Sequence, residues 1–154
     1  MKQFSQRDLP PGINRAWRIG IVHSSFYKEE VAALVEGAVQ VLKDAGISAA
    51  HIKTYAVPGS FEIPLIGAAL AGEREADALI GLGIIVQGET HHARLIAEQA
   101  ARGIMDVQVQ YGVPFAFEIL FVDTIALARE RLDRGEEAAL AVLHSLAELK
   151  KIGS

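Results

Sequence analysis

Short apolar runs alternate along the chain with segments whose apolar residues recur every three or four positions. The four runs lie at 18–24, 52–57, 78–86 and 114–122, and each is bounded by glycine, proline or polar residues. Runs of this kind are typical of β-strands. Two of them are almost continuously apolar, as expected of strands that are covered on both faces of a sheet.

The intervals between the runs show helical periodicity. One apolar stripe runs from Val31 to Ala45 and stops before Gly46, a residue that often ends a helix. A second stripe extends from Ala93 to Ile104. Two shorter stripes, at 125–132 and 138–149, predict a final pair of helices broken near Gly135.

Strands and helices therefore alternate in the order βαβαβαβα. This order predicts an α/β fold, a three-layer αβα sandwich around a mostly parallel four-stranded sheet of flavodoxin-like order. We expect one domain over residues 17–154. Residues 1–16 are polar and contain Pro10-Pro11-Gly12, which predicts a flexible or extended N-terminal arm.

Composition removes several classes of function. The net charge of −4 gives no reason to expect binding to nucleic acid or to an anionic membrane. The chain has no cysteine, which excludes disulfides, thiolate nucleophiles and cysteine metal sites. Neither a signal-peptide pattern nor an apolar run of membrane-spanning length is present, so we expect a cytoplasmic protein.

Ligands of parallel α/β sheets bind at the carboxyl ends of the strands. We therefore expect ligand-binding residues in the segments at these ends, which are 23–28, 57–62, 85–92 and 117–124. Phe26 and Phe61 could contact a ligand there or simply pack at the edge of the core. Glu62 could contact a substrate or be a solvated carboxylate in the first turn of a helix. Thr90 is a plausible N-cap, and the free amides of the turn before it could bind an anion such as phosphate.

Two adjacent histidines, His91 and His92, follow that turn. Adjacent helical side chains point about 100° apart, and the residues four positions further on are Leu95 and Ile96, so a shared metal ion is unfavourable. The helix dipole disfavours the imidazolium form, which suits proton exchange near neutral pH. A solvated surface role remains the alternative. The chain has neither GxGxxG nor a P-loop motif.

Four segments in order, "VPGSFEIP", "GLGIIVQGETHH", "GVPFAFEIL" and "DTIALARERL", resemble the lumazine synthase family from about residue 18 to the C-terminus. The resemblance implies the condensation of 5-amino-6-(D-ribitylamino)uracil with 3,4-dihydroxy-2-butanone 4-phosphate, a step of riboflavin biosynthesis that releases phosphate and water. It implies no cofactor and no metal.

The same resemblance implies roles for individual residues. Phe26 would stack on the pyrimidine, and His92 would transfer protons, whereas His91 falls on a variable position. Residues expected to hold the ribityl chain and neighbouring groups are Ser60, Phe61 and Glu62, and those expected to offer backbone hydrogen bonds to the uracil are Ile84, Ile85 and Val86. The expected phosphate-binding residues are Glu89, Thr90, Arg131 and, in place of a family lysine, Arg134. Phe117 would reach into the site of a neighbouring subunit.

The chain departs from the family pattern at several positions. Tyr27 stands where asparagine is common, Gln87 replaces an arginine, Ala93 replaces an aromatic residue, and Glu118 replaces a small residue; the segment after Arg131 is short. These departures leave an alternative, a non-catalytic or engineered assembly subunit or a binder of flavin-type ligands.

The resemblance also implies a homo-oligomer with sites between adjacent subunits. Family members form pentamers, and some form icosahedral shells of twelve pentamers. Pro10-Pro11 and the short late segment favour pentamers or pairs of pentamers over the shell. The apolar runs "PFAFEILFV" and "AALAVLHSLAEL" could cover an interface or belong to the core.

Overall fold

The computed structural model describes residues 8–153, which form four strands and five α-helices. The strands are β1 (Ile19–Ser24), β2 (Ile52–Val57), β3 (Ala78–Val86) and β4 (Phe115–Val122). The helices are α1 (Lys28–Asp44), α2 (Ile63–Gly72), α3 (His92–Tyr111), α4 (Ile125–Arg129) and α5 (Arg134–Gly153). Two short 3-10 turns, Ala49–His51 and Ser60–Glu62, precede β2 and α2.

All four strands are parallel, in the order β2-β1-β3-β4. One face of the sheet packs on α1, α4 and α5, and the other packs on α2 and α3. The predicted three-layer α/β sandwich is therefore confirmed. The sheet brings the carboxyl ends of its strands to one side, where the segments named above follow β1, β2 and β3.

The run that forms β3 is apolar because both of its faces are buried. Ala78, Ile80 and Leu82 pack into the cluster beneath α1 and α5, whereas Leu79 and Ile85 pack beneath α2 and α3. Successive side chains of a strand point to opposite faces, so a strand covered on both sides loses the alternation of apolar and polar residues. The interpretation of this run is confirmed.

β4 is similarly apolar, yet it lies at the edge of the sheet. Phe115 and Ile119 are buried on the α3 side, but Phe117 and Phe121 are 41% and 40% exposed. Glu118 points to the opposite face, toward α5. The edge strand therefore exposes aromatic surface that the rest of residues 8–153 leaves uncovered.

The helix boundaries agree with their sequence signals in part. Gly46 follows the end of α1 with φ +93°, a left-handed conformation suited to glycine. The break between the last two helices falls at 130–133, before Gly135. Gly135 itself lies in the first turn of α5, where a Cβ would collide with the backbone of Leu34. The glycine therefore permits close packing of α5 on α1 and does not end a helix.

Residues 8–16, the described part of the predicted arm, contain no helix or strand and lie against the rest of the chain. Arg15 Nε donates to the carbonyl of Gly46 at 3.2 Å, and Lys150 Nζ donates to the carbonyl of Gly12 at 3.3 Å. The first seven residues of the predicted arm lie outside the described residues. Within 8–153, no helix combines the length and the apolar character that a membrane crossing requires.

Candidate active site

The loop after β1 is tied to the end of β2. The Ser25 hydroxyl donates to the carbonyl of Val57 at 2.7 Å. The next side chain, Phe26, is 65% exposed. Its ring lies beside Gly59, because a Cβ added to that glycine would be 3.5 Å from a carbon of the ring. The carboxyl ends of β1 and β2 therefore present an exposed aromatic face over a glycine turn.

Tyr27, the N-cap residue of α1, has φ +54° and ψ +56°. This left-handed conformation is common for glycine and asparagine and costs other residues roughly 1–2 kcal/mol. The asparagine that is common here in the lumazine synthase family has no such penalty. The departure noted in the sequence therefore has a backbone cost, located directly beside Phe26.

Glu62 stabilises the turn that carries it. The amide of Gly59 donates to Glu62 Oε1 at 2.9 Å, which forms half of a capping box at the start of the Ser60–Glu62 turn. The carboxylate is therefore held in place by the backbone before any ligand arrives. This observation supports the structural alternative for Glu62 and leaves room for contact through its other oxygen.

Ser24 and Ser60 come together over a glycine of β3. Both serines are buried, with 1% and 5% of their surface exposed. A Cβ at Gly83 would lie 2.5 Å from the Ser60 hydroxyl and 3.0 Å from that of Ser24. Sequence reasoning missed Ser24 and Gly83, although an isolated glycine within a strand run signals close approach of other atoms.

The end of β3 extends beyond β1. Within residues 8–153, the β1–β3 ladder ends at the pair His23–Leu82, whereas the β3–β4 ladder continues to Val86–Val122. The side chains of Ile84 and Ile85 are buried, at 3% and 8% exposure. A ligand beside Phe26 would therefore meet the backbone edge of 84–86 and not the side chains.

The loop from Gln87 to His91 leads into α3. The helix begins at His92 with His91 at the N-cap, so the prediction of Thr90 as N-cap is wrong by one residue. Thr90 nevertheless caps the first turn, because its hydroxyl accepts the amide of His92 at 3.3 Å. Glu89, Thr90 and both histidines are exposed, so the turn is open to a ligand.

The two histidines have no metal partners in the described part of the chain. Residues 8–153 contain no group of three or more histidine, cysteine, aspartate or glutamate side chains placed to hold a metal ion. An exposed imidazole at the start of a helix, next to free amides, can exchange protons with a bound ligand. The arrangement is suited to acid–base chemistry on a small anionic substrate.

Phe117 lies apart from this group. It pairs with Gly81 in the sheet register, five residues before Val122, and thus about 17 Å from the end of the strand. Its side chain is 41% exposed, on the same face of β4 as Phe115 and Ile119. A single chain therefore does not bring Phe117 to Phe26.

A charged cluster lies on the other face of β4. Arg134 Nη1 is 3.8 Å from Glu118 Oε2, and Arg134 Nε is 3.4 Å from Glu137 Oε2. Burial raises the pKa of Glu118 to about 7, opposed by the charge of Arg134 and reinforced by Glu137 and Asp133. Arg131 is exposed one turn before Arg134, whose amide donates to the carbonyl of Arg131 at 3.1 Å.

The predicted site residues thus form two groups. The first surrounds the carboxyl ends of β1, β2 and β3, and its members are Phe26, Ser60, Phe61, Glu62, Ile84, Ile85, Val86, Glu89, Thr90 and His92. The second lies along β4 and the start of α5, and its members are Phe117, Arg131 and Arg134. Phe117, opposite Gly81 in the register, lies five residues before the end of β4 and therefore away from the first group.

Comparison with known proteins gives consistent matches over nearly the whole chain. Residues 16–150 match the family model described as 6,7-dimethyl-8-ribityllumazine synthase. A protein of that name from Arthrobacter sp. (strain FB24) is 35% identical over 150 residues, 93% of this chain and 91% of that protein. Another from Protochlamydia amoebophila (strain UWE25) is 39% identical over 134 residues, 84% of this chain and 78% of that protein.

Proposed function

The chain belongs to the 6,7-dimethyl-8-ribityllumazine synthase family, and we propose that it condenses 5-amino-6-(D-ribitylamino)uracil with 3,4-dihydroxy-2-butanone 4-phosphate. The products are 6,7-dimethyl-8-ribityllumazine, phosphate and water. The reaction places the protein among the transferases of riboflavin biosynthesis.

One observation carries this proposal. The exposed ring of Phe26 lies at the carboxyl end of the sheet, where the backbone of 84–86 extends beyond the end of β1. A flat heterocycle can stack on such a ring while its polar edge pairs with strand backbone. The turn of Ser60 and Glu62 follows β2 at the same end of the sheet, where a polyhydroxylated chain would find hydrogen-bonding partners.

His92 is proposed to move the protons that the condensation requires. Joining an amine to a ketone requires protonation of the carbonyl oxygen and removal of a proton from the amine nitrogen. An imidazole can do both, because one ring nitrogen can donate a proton while the other accepts one. Holding the two reactants in one site supplies a large part of the acceleration, because their approach becomes intramolecular.

The phosphate of the four-carbon substrate is proposed to bind between the turn of Glu89 and Thr90 and the guanidinium groups of Arg131 and Arg134. Amides at the start of α3 favour an anion. Arginine pairs with phosphate through several N–H donors at once. Because the leaving group is phosphate, fixed positive charge at this end also stabilises it as it departs.

Members of this family bind small-molecule substrates and form homo-oligomers, and we propose that this chain forms pentamers or multiples of pentamers. The support from the structure is the edge position of β4, with Phe117 and Phe121 exposed. By contrast, the apolar run of α5 is mostly core, with Val142, Leu143 and Leu146 buried. A neighbouring copy would bring the Phe117 group to the Phe26 group and complete the site.

The His92 assignment is tested by replacing each histidine with alanine and following lumazine formation from both substrates. His92→Ala should lower kcat by about 10²-fold, a typical loss for one acid–base group. His91→Ala is the matched control, since its side chain is equally exposed and should leave kcat within about twofold. The reverse ranking would refute the assignment.

No feature of residues 8–153 favours the non-catalytic alternative. Tyr27 and Glu118 alter the conformation and charge beside the site, but Phe26, Glu62, Thr90, His92 and Arg131 are all present.

A further inference from the structure

Glu118 is a half-buried carboxylate beside a residue proposed to bind phosphate. Its side chain is 20% exposed, on the face of β4 that packs against α5. One oxygen lies 3.8 Å from Arg134 Nη1, at the first residue of α5. The resemblance of the chain to its family implies a small residue at this position, so this carboxylate is a feature of the present sequence.

Arg134 is shared between two carboxylates of unequal exposure. Its Nε lies 3.4 Å from Glu137 Oε2, and the Glu137 side chain is 54% exposed. The arginine side chain itself is 46% exposed, which leaves part of the guanidinium facing solvent. An ion pair at 3.8 Å is looser than a direct hydrogen bond, so a better partner can compete for this group.

We propose that Glu118 is a positioning residue for the phosphate end of the site. When ionised, it holds the Arg134 guanidinium against β4. When protonated, it leaves the positive charge of Arg134 available to the phosphate. This inference rests on the proposed function, because it concerns the affinity of the same site for its phosphorylated substrate. The strength of anion binding is then set by one proton on Glu118.

The surroundings of Glu118 favour such a switch near neutral pH. Asp133, Arg134 and Glu137 supply the charges around its carboxylate, from the turn before α5 and from α5 itself. β3, the strand paired with β4, places the apolar Leu82 in register with it. Burial raises the pKa of Glu118 to about 7, so its charge changes across the range in which the enzyme would work.

The ionised state weakens anion binding for a simple electrostatic reason. With Glu118 and Glu137 both charged, the cluster around Arg134 carries a net negative charge, which repels an incoming phosphate. Protonation of Glu118 removes one unit of that charge from within about 4 Å of the guanidinium, a distance at which two charges interact even in a partly solvated site.

Sulfate binding, measured by calorimetry on the full chain between about pH 6 and about pH 8.5, tests the proposal. Sulfate remains a dianion over this range, so any pH dependence comes from the protein. We expect the wild-type affinity to fall by about fivefold as Glu118 ionises. In Glu118→Gln the fall should be smaller, so that this variant binds sulfate more tightly than wild type at about pH 8.5. Equal pH dependence in the two proteins would overturn the proposal.

Two further variants separate positioning from a general loss of acidic charge. Glu137→Gln should raise affinity by about twofold and leave the pH dependence in place, because this carboxylate is more exposed than Glu118 and is screened by solvent. Glu118→Ala should match Glu118→Gln, since both remove the charge. If Glu137→Gln abolished the pH dependence, or if either Glu118 variant bound sulfate more weakly than wild type, the inference would be wrong.

A kinetic measurement keeps this inference distinct from the proposed function. The KM for the butanone phosphate should fall in Glu118→Gln at about pH 8.5 by the same factor as the sulfate constant, with a smaller change in kcat. Lumazine formation by the wild-type chain tests the function, whereas sulfate binding does not depend on turnover. The role proposed for Glu118 can therefore fail while the proposed function stands, and the reverse also holds.

Discussion

Tyr27 carries a backbone cost at the edge of the candidate site. Because its φ of +54° favours asparagine or glycine, we predict that Tyr27→Asn raises the free energy of unfolding by about 1 kcal/mol. Denaturant unfolding at fixed protein concentration measures the change. Tyr27→Phe, which keeps the side-chain bulk and the same backbone penalty, should have little effect. A gain no larger in the asparagine variant than in this control would contradict the account.

Glu118 makes stability depend on pH. Its pKa rises from an ordinary value of 4.5 to about 7 in the folded chain, so the folded state holds a proton that the unfolded state has lost. The associated stability is fully present below about pH 4.5 and is lost as the pH rises through about 7.

The corresponding variant separates this effect from other titrations. Relative to wild type, Glu118→Gln should gain about 1–3 kcal/mol of stability between these limits. Unfolding curves collected across the pH range measure the difference. A constant difference between wild type and variant would show that Glu118 titrates normally.

The position of several candidate residues could be predicted from the sequence, whereas their roles remain proposals. Phe26, Glu62, Thr90 and His92 lie within six residues after a strand, and the parallel topology brings these segments to one end of the sheet. Ser24 could not be found this way, since a serine at the end of an apolar run carries no signal of its own. Its role depends on Gly83, which is distant in sequence and adjacent in space.

At the scale of elements, the contact between α1 and α5 depends on Gly135. A Cβ there would collide with the main chain of Leu34, which cannot move without displacing α1. We predict that Gly135→Ala lowers the free energy of unfolding by about 1–3 kcal/mol, the range for an overpacked core.

Gly153→Ala provides the matched control in the same helix. A Cβ at this position would have nothing within 4 Å, so stability should be unchanged or slightly higher. Thermal unfolding of the two variants makes the comparison. Equal midpoints would mean that the helices adjust without cost and that the close contact is unimportant.

The four strands were predictable because their apolar runs are bounded sharply, whereas α2 lacks a clear stripe. Its sequence, IPLIGAALAG, is apolar on nearly every side. Because α2 is packed between the sheet and α3, little of it faces solvent, and its sequence lacks the polar stripe that marks a surface helix. Similarly, β4 has the composition of a buried strand although it lies at the edge of the sheet, because Phe117 and Phe121 are apolar but exposed there.

At the scale of the whole molecule, assembly and activity are expected to fail together. Phe117→Asp introduces a charge on the exposed edge of β4 and should convert the oligomer to smaller species, as measured by size-exclusion chromatography with light scattering. Ile152→Asp is the control, since Ile152 is 79% exposed on α5, on the other face of the sheet. Loss of assembly in the control alone would place the interface elsewhere.

The central claim is that the chain joins the two substrates beside Phe26, at the carboxyl end of the sheet. Purified protein is mixed with 5-amino-6-(D-ribitylamino)uracil and 3,4-dihydroxy-2-butanone 4-phosphate, and the lumazine product is followed by its fluorescence. We predict a rate that is proportional to protein concentration and far above that of the protein-free mixture. A rate equal to the protein-free reaction at every protein concentration would contradict the claim.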